Sequence, residues 1–160
     1  MLKRNGYEVK NITLGAIYEL FREIGNTVQV NTITIGDIFE VDLVETTYPL
    51  MHVATNNAVY DTNNLTYNFQ IIVMDLVNKD ESNEDYVLGD TLQTIGDIIS
   101  YLRNTNTLLR EFTDFRNNIR IQDNITCEPF TERFDNEVTG WTADISLEVI
   151  FEASACSGNV

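Results

Sequence analysis

The amino-acid sequence predicts an α+β fold, in which an antiparallel β-sheet has helices packed on one face. Two kinds of periodicity predict it. Apolar residues recur at helical spacing within residues 13–24 and 86–103, and they alternate with polar residues within 65–76 and 141–151. The expected order along the chain is helix, hairpin, strand, helix, strand, strand. Runs of strands with few helices between them favour an antiparallel sheet that is covered on one side.

The first predicted helix, residues 13–24, has a continuous apolar stripe. The stripe consists of Leu14, Ile17, Tyr18, Phe21 and Ile24. Thr13 or Asn11 is a suitable N-cap, and Gly25-Asn26 predicts where the helix stops.

The second predicted helix, residues 86–103, follows an acidic loop, Asn78 to Asp85, whose charge favours a helix N-terminus. Its expected buried stripe is Leu88, Leu92, Ile95, Ile99 and Leu102. Residues 105–116 are predicted to continue as a further helical piece.

Residues 65–76 give the clearest strand signal. Its core face is expected to be Leu65, Tyr67, Phe69, Ile71 and Val73. Its other face, expected to meet solvent or a partner subunit, is Thr66, Asn68, Gln70 and Ile72. Residues 119–127 and 141–151 are also predicted as strands, joined by a connection that contains Phe130 and Phe134.

The region between the first helix and this strand is less regular. Residues 27–45 predict a hairpin that turns around Gly36. The segment Tyr48–Val53 predicts an edge strand, because Pro49 cannot donate a hydrogen bond to a ladder. The Asn-rich stretch from Asn56 to Asn64 predicts a loop or an exposed hairpin connection.

The length of 160 residues is typical of one domain, and 43% of the residues are apolar, enough to form a core. No stretch rich in Pro, Gly or Ser suggests a linker. We therefore expect a single domain over residues 1–160, with residues 1–10 and 153–160 extended or frayed.

The formal net charge is −15 and the isoelectric point is near 4.2. Such a chain repels phosphate backbones and anionic lipids, which argues against sequence-specific binding of nucleic acid and against membrane docking. Passive contact with DNA stays compatible with this charge, since an acidic wall would let DNA slide without sticking.

Targeting signals are expected to be absent. The first ten residues carry charge but lead into no apolar run, unlike a signal peptide, and no 18-residue apolar stretch is present. Cys127 and Cys156 form no CxxC pair and are expected to be unpaired thiols in a reducing compartment. Synthesis in a cytoplasm fits these features.

No motif for chemistry emerges, so the sequence predicts no catalytic residue, no cofactor and no metal site. His52 is the sole histidine and is expected to be packed or interfacial; an acid/base role is the alternative. Asp75 ends the strongest strand and is expected to be solvated or bonded to backbone there. Catalysis would need a partner that shifts its pKa.

Two further features are expected to be structural. The acidic run between Asp80 and Asp85 lacks the spacing of a calcium-binding loop and predicts a solvated turn. Trp141 opens the last strand and is expected to anchor the core rather than bind a ligand.

Polar strand faces and Asn-rich loops instead suggest a surface that neighbouring molecules use. We expect subunit contacts at six amide side chains: Asn56, Asn57, Asn63, Asn64, Asn68 and Gln70.

Several short motifs, in order, resemble virion proteins of crAss-like and related tailed phages. They are Ile35-Gly36-Asp37 to Asp42-Leu43, Tyr48-Pro49-Leu50-Met51-His52-Val53, Phe69 to Asp75, Leu88 to Leu102, Cys127-Glu128-Pro129-Phe130, Arg133-Phe134 and Gly140-Trp141. The resemblance covers most of residues 28–151. Those proteins look like relatives of tail terminators.

This resemblance implies a tail-terminator-like fold and a virion structural protein, not an enzyme, made in the bacterial host cytoplasm. It implies a ring of six or twelve copies in the tail or neck. DNA would pass through the bore, and neighbouring portal, connector or tail proteins would be the partners. No membrane, cofactor or catalytic residue is implied.

Two other interpretations stay open. The chain could be another virion component, such as a tail tube, baseplate or head-decoration protein. It could also be a small-molecule-binding or enzymatic α+β domain, which would require a pocket near Asp75 or His52.

Overall fold

The computed structural model describes residues 2–4, 7–9, 12–104, 119–129 and 137–151. The elements in chain order are β1 (Leu2–Arg4), β2 (Tyr7–Val9), α1 (Leu14–Thr27), β3 (Thr32–Ile35), a short 3₁₀ helix (Ile38–Glu40), β4 (Leu50–Tyr60), β5 (Asn64–Leu76), α2 (Glu84–Arg103), β6 (Ile119–Ile121), β7 (Cys127–Pro129) and β8 (Val138–Ile150). Four predictions lie outside the described residues: the helical piece 105–116, the connection with Phe130 and Phe134, the thiol of Cys156 and the tail 153–160.

Six of the described strands form one sheet. Their order is β3-β4-β5-β8-β6, and β7 pairs with β8 beside β6. The β3–β4 pair is parallel, and the other pairs of this sheet are antiparallel. Strands β1 and β2 form a separate two-stranded antiparallel sheet. The fold is therefore α+β with a mostly antiparallel sheet, as the periodicity predicts.

Alternation along the two long central strands creates the main core. The predicted core face of β5 is buried and lies beside Ala143, Ile145, Leu147 and Val149 of β8. Both helices pack on this face, through Ile17, Leu20, Phe21, Ile24, Ile95, Ile98 and Leu102. The prediction that helices cover one face of the sheet is thus confirmed. Neither helix in the described part of the chain is long and apolar enough to cross a membrane.

Helix α1 begins as predicted but ends later. The hydroxyl of Thr13 accepts a hydrogen bond from the Ala16 amide at 3.2 Å and caps the N-terminus. The helix then continues through Gly25 to Thr27, so the predicted stop is wrong. Gly25 is needed for close packing instead, because a Cβ there would lie 2.5 Å from Cδ1 of Ile33.

The buried stripe of α2 is rotated relative to the predicted one. Leu92 was expected in the core but is 40% exposed, and Thr91 is buried in its place. A buried hydroxyl is tolerated here because Thr91 donates to the carbonyl of Val87 at 2.6 Å. On the same turn, the Trp141 indole donates to the Leu88 carbonyl at 2.8 Å, so Trp141 anchors α2 to β8.

The hairpin predicted around Gly36 is wrong. Strand β3 is only four residues long and pairs in parallel with β4. After Gly36, whose φ is 125°, the chain enters the 3₁₀ helix rather than a second strand. The Asp37 carboxylate accepts from the Phe39 amide, and the Asp42 carboxylate accepts from the Val44 amide. These local bonds compete with a ladder and favour turns.

The predicted edge strand and the predicted Asn-rich loop are one strand, β4. Its first part, Leu50–Val53, is interior, because β3 covers one side and β5 the other. The edge assignment based on Pro49 is therefore wrong, since this residue lies just before the strand. The alternative expectation of an exposed hairpin connection is confirmed in kind, since β4 and β5 form an antiparallel hairpin, but the connection is only Asp61–Asn63. Pairing with β5 overrides the low strand propensity of asparagine in the rest of the stretch.

The strand predicted over residues 119–127 is interrupted. Strands β6 and β7 pair with the same edge of β8, and the chain between them leaves the ladder. The Gln122 side chain replaces the missing backbone there. Its amide nitrogen donates to the Asp144 carbonyl at 3.0 Å, and its oxygen accepts from the Ser146 amide at 2.7 Å.

A second, smaller cluster lies on the face opposite the helices. It is formed by Leu50, Ile72, Met74 and Val138, with Ile38, Val41, Leu43 and Tyr48 packed against it. We call residues 36–48 the covering segment, because their apolar side chains cover this end of the sheet. Ile72, expected at a polar surface, is buried for that reason.

Candidate assembly surface

The covering segment leaves the other end of the sheet bare on the face opposite the helices. Strand register places side chains from four strands on this bare region. We call it the open face; its members are Asn57, Val59, Thr66, Asn68, Gln70, Asp144, Ser146, Glu148 and Arg120. The polar half of β5 therefore points away from the core, as its alternation predicts.

Side-chain hydrogen bonds link three strands across the open face. The Asn68 amide nitrogen on β5 donates to the Asn57 oxygen on β4 at 2.6 Å. The Ser146 hydroxyl on β8 donates to the oxygen of the same Asn68. Gln122 continues the row through its bond to the Ser146 backbone. Asn68 is thus held by both neighbours, which gives the open face a defined polar centre.

The six amide residues predicted as subunit contacts do not form one site. Asn57, Asn68 and Gln70 share the open face. Asn56 lies at the register shift between Thr55 and Asn57, where β4 bulges. Asn63 and Asn64 lie at the turn into β5, five and four residues before Asn68.

The outer edge of β4 is the feature that sequence reasoning missed. Strand β3 ends opposite Val53, so among the described strands β5 alone pairs with Ala54–Tyr60. This seven-residue edge is exposed over nearly all its length. It also belongs to a run of 15 residues, Thr46 to Tyr60, that contains no Asp, Glu, Lys or Arg. That run was the sequence signal that could have revealed it.

Apolar side chains stand exposed at the end of this edge. Val59 is 53% exposed and Tyr60 is 66% exposed on β4, and Ile150, two strands away on β8, is 50% exposed. The rings of Tyr60 and Phe151 meet edge to face, with centroids 5.1 Å apart. Single exposed apolar residues are ordinary, but here register places Val59 on the open face and Tyr60 on the helix side, so each face carries an exposed apolar side chain beside an edge that no described strand covers.

His52 is packed, as expected, and lies away from the open face. It is fully buried between β3 and the covering segment. Nε2 donates to the Gly36 carbonyl at 2.8 Å, which leaves Nδ1 to accept from the Thr34 hydroxyl at 2.7 Å. Burial lowers the pKa of His52, although the Gly36 carbonyl and Asp37 oppose the shift. The neutral ring therefore ties β3 to β4 and to the covering segment.

Asp75 lies near the end of β5. Of its two expected environments, solvent or a backbone hydrogen bond, the structure shows the backbone bond. Its Oδ1 accepts from the Leu76 amide at 2.8 Å. Burial raises the pKa of Asp75, the Leu76 amide lowers it, and the nearby Asp90 raises it further. The charged carboxylate is thus disfavoured in the folded chain.

We expect the substitution Asp75→Asn to raise the melting temperature at neutral pH. A carboxyl whose folded pKa is raised supports folding below its unfolded value of 3.8, and loses that contribution as pH rises through the folded pKa. The neutral amide avoids this loss. The gain should therefore vanish below about pH 3.8 in thermal unfolding followed by circular dichroism. An equal gain at every pH would contradict this electrostatic origin.

Other acidic groups do not converge on a metal. Within the described ranges, no group of three or more His, Cys, Asp or Glu side chains could hold one. Asp80, in the acidic run, accepts bonds from Ser82, which lower its pKa. An open cleft of about 490 Å³ lies between β3 and the covering segment, lined in part by Asp37, Glu40 and Asp42. Asp37 and Asp42 already accept local backbone bonds.

Comparison of the chain with models of known protein families and with curated proteins gives no match.

Proposed function

We propose that this chain is a structural protein of a phage virion that assembles into a ring in the tail or neck, with DNA passing through its bore. The observation that carries the assembly part is the edge Ala54–Tyr60, which has no charged residue and whose outer side pairs with none of the described strands. The resemblance of its ordered motifs to virion proteins of crAss-like phages supports the placement in a virion.

An exposed strand edge presents a row of backbone donors and acceptors to other chains. Proteins that stay monomeric usually protect such an edge with a lysine, a proline or an inward-pointing charge. The segment Ala54–Tyr60 has none of these residues, although the chain as a whole carries 35 charged side chains, 10 basic and 25 acidic. A bulge at Asn56 is the one protective device found in the part of the chain that the structure describes. This pattern supports an edge that pairs with another chain.

The strong negative charge is compatible with a DNA conduit. Each copy carries a formal charge of −15, so a ring of copies has a large negative net charge that repels a DNA backbone. The same charge opposes association between copies. The contacts therefore have to overcome a repulsion that dissolved salt weakens.

We expect the oligomer to be favoured by salt. Raising the ionic strength from about 0.01 M to about 0.15 M shortens the Debye length from about 30 Å to about 8 Å, which screens the repulsion between copies. Multi-angle light scattering of the purified protein across this range should show the mass rising to a plateau. A mass that falls with salt would show that attractive ion pairs hold the copies together instead.

Reconstruction of the particle that contains this protein tests its placement. The proposal expects a closed ring around the DNA channel in the tail or neck, with acidic side chains towards the bore. A copy outside any ring, or a bore lined with lysine and arginine, would contradict it. Stacked layers along the whole tail would instead identify a tail-tube protein.

A further inference from the structure

The sheet has a second edge on its opposite side, formed by β6. Strand register places β6 directly across the sheet from the exposed part of β4, a correspondence that we call the same level. Strand register connects Tyr60 through Leu65 and Val149 to Ile119 of β6. It likewise connects Ala58 through Tyr67 and Leu147 to Ile121. Among the described residues, no strand pairs with the outer side of β6. At this level the described part of the sheet has four strands, β4-β5-β8-β6, and neither outer edge pairs with a further described strand.

The backbone groups on the β4 edge point outward at alternate residues. The Asp61 amide donates to the Asn64 carbonyl at 2.8 Å, so Asp61 and Asn64 are a hydrogen-bonded pair. In an antiparallel ladder, bonded and non-bonded pairs alternate. Val59 and Asn57 therefore bond to β5, whereas the N–H and C=O groups of Ala58 and Tyr60 point away from it.

The same reasoning applies to the β6 edge. The Phe151 amide donates to the Asn63 carbonyl at 2.9 Å, so the odd-numbered residues of β8 bond to β5. The even-numbered residues of β8 then point towards β6, and Glu148 is paired there with Arg120. The N–H and C=O groups of Ile119 and Ile121 consequently point outward.

We infer that neighbouring copies join head to tail through these edges, with β4 of one copy against β6 of the next in one continuous antiparallel sheet. The inference rests on the proposed ring function and adds the contact that would build the ring. Strand polarity supports it. Strands β4, β5, β8 and β6 alternate in direction, so a second copy in the same orientation places its β4 antiparallel to β6.

The two edges also match residue by residue. At equal level, Ala58 meets Ile121 and Tyr60 meets Ile119, and all four have outward-pointing backbone groups. Two bonded pairs would supply four main-chain hydrogen bonds. The side chains of these residues lie on the helix side of the sheet, so the exposed Tyr60 ring would pack against isoleucines. Because this contact joins different surfaces of two copies, it can close into a ring.

Val59 and Arg120 of adjacent copies would then form the non-bonded pair between the two bonded ones. Such pairs have Cα atoms about 4.5 Å apart, within the range that a disulfide spans. Within one chain, the same two residues lie in the first and the last of these four strands, about 14 Å apart. A disulfide between them can therefore form only between copies.

The double variant Val59→Cys/Arg120→Cys tests the contact. Mild oxidation should give a ladder of covalent oligomers on a denaturing, non-reducing gel, ending at the copy number of the ring. The wild type and the two single variants are the controls, because they keep Cys127 and Cys156 but lack one or both partners. Absence of a ladder, while light scattering still shows an oligomer, would overturn the edge contact and leave the ring proposal standing.

A second pair of variants tests the backbone bonds without cysteine chemistry. Ala58→Pro removes an outward N–H and no bond to β5, so the monomer should fold. Its association should weaken at least about tenfold, because the proline ring also fills the space of the partner strand. Ala58→Val keeps the N–H group and should assemble as the wild type does. Equal assembly of both variants would overturn the inference, and a wild type that stays monomeric would overturn the ring itself.

Discussion

Replacing Gly140 with alanine should prevent the chain from folding stably. Gly140, the third residue of β8, lies opposite Met74, the third residue from the end of β5. A Cβ at this position would stand 1.9 Å from the Val73 carbonyl oxygen and 2.8 Å from the Met74 Cα. Both are backbone atoms of a central strand, so no rotamer change relieves the clash. Overpacking typically costs about 1–3 kcal/mol, and a backbone collision of this kind should exceed that range.

Urea unfolding of the Gly140→Ala and Gly96→Ala variants separates this effect from a general response to alanine. Gly96 lies within α2, and a Cβ there meets nothing within 4 Å. Alanine in an exposed helix interior should add about 0.5–1 kcal/mol of stability. We expect opposite signs for the two substitutions. A Gly140→Ala variant as stable as the wild type would show that β5 and β8 are further apart than described.

Truncating Phe69 to alanine should cost about 3–5 kcal/mol of unfolding free energy. The Phe69 ring is fully buried and lies at the centre of an aromatic cluster. Its centroid is 5.1 Å from that of Phe21, 6.1 Å from that of Tyr67 and 6.4 Å from that of Tyr18. The cluster joins α1 to β5, so the cavity left by alanine would loosen the helix from the sheet.

Phe39 provides the matched control for this truncation. It lies in the 3₁₀ helix and is 89% exposed. Phe39→Ala should change stability by no more than about 0.5 kcal/mol, as surface substitutions usually do. Denaturant unfolding of the two variants measures both values. Equal losses would mean that the face of the sheet beneath α1 is not the principal core.

The parts of the fold that sequence predicts best are those with strong local periodicity. Residues 65–76 and 141–151 alternate so regularly that burial on one face follows directly, and both strands are confirmed with that face in the core. The end of α1 at Gly25 and the stripe of α2 at Leu92 are wrong because they depend on neighbours. The packing of Ile33 against Gly25 and the face that α2 turns to the sheet are set by tertiary contacts, which a local sequence pattern does not contain.

The region from Gly36 to Asn64 defeats local reasoning for a related reason. The composition of Asn56–Asn64 predicts a loop or an exposed hairpin connection, yet β4 continues to Tyr60 and Asn57 bonds to Asn68 on the next strand. Pairing with β5 supplies the partners that these side chains lack locally. Covering of the sheet by the segment after Gly36 also needs long-range contacts. The sequence pattern of one segment therefore predicts neither the pairing with β5 nor the packing of the covering segment on the sheet.

The candidate surface is predictable in part. Alternation in β5 places Asn68 and Gln70 on the side away from the helices, where the structure has them. The unpaired edge of β4 is not predictable that way, because an edge is defined by which strand is missing beside it. The one indication of this edge in the sequence is the lack of charged residues: the run from Thr46 to Tyr60 contains none that could protect a strand edge.

Native mass spectrometry of the purified protein at increasing salt tests the central claim most directly. Assembly into a closed ring predicts one discrete oligomer of fixed copy number, six or twelve, that grows at the expense of monomer and goes no further. A chain that stays monomeric at every salt concentration, even with its neck partners added, would contradict the claim. So would an open-ended series of masses with no preferred size.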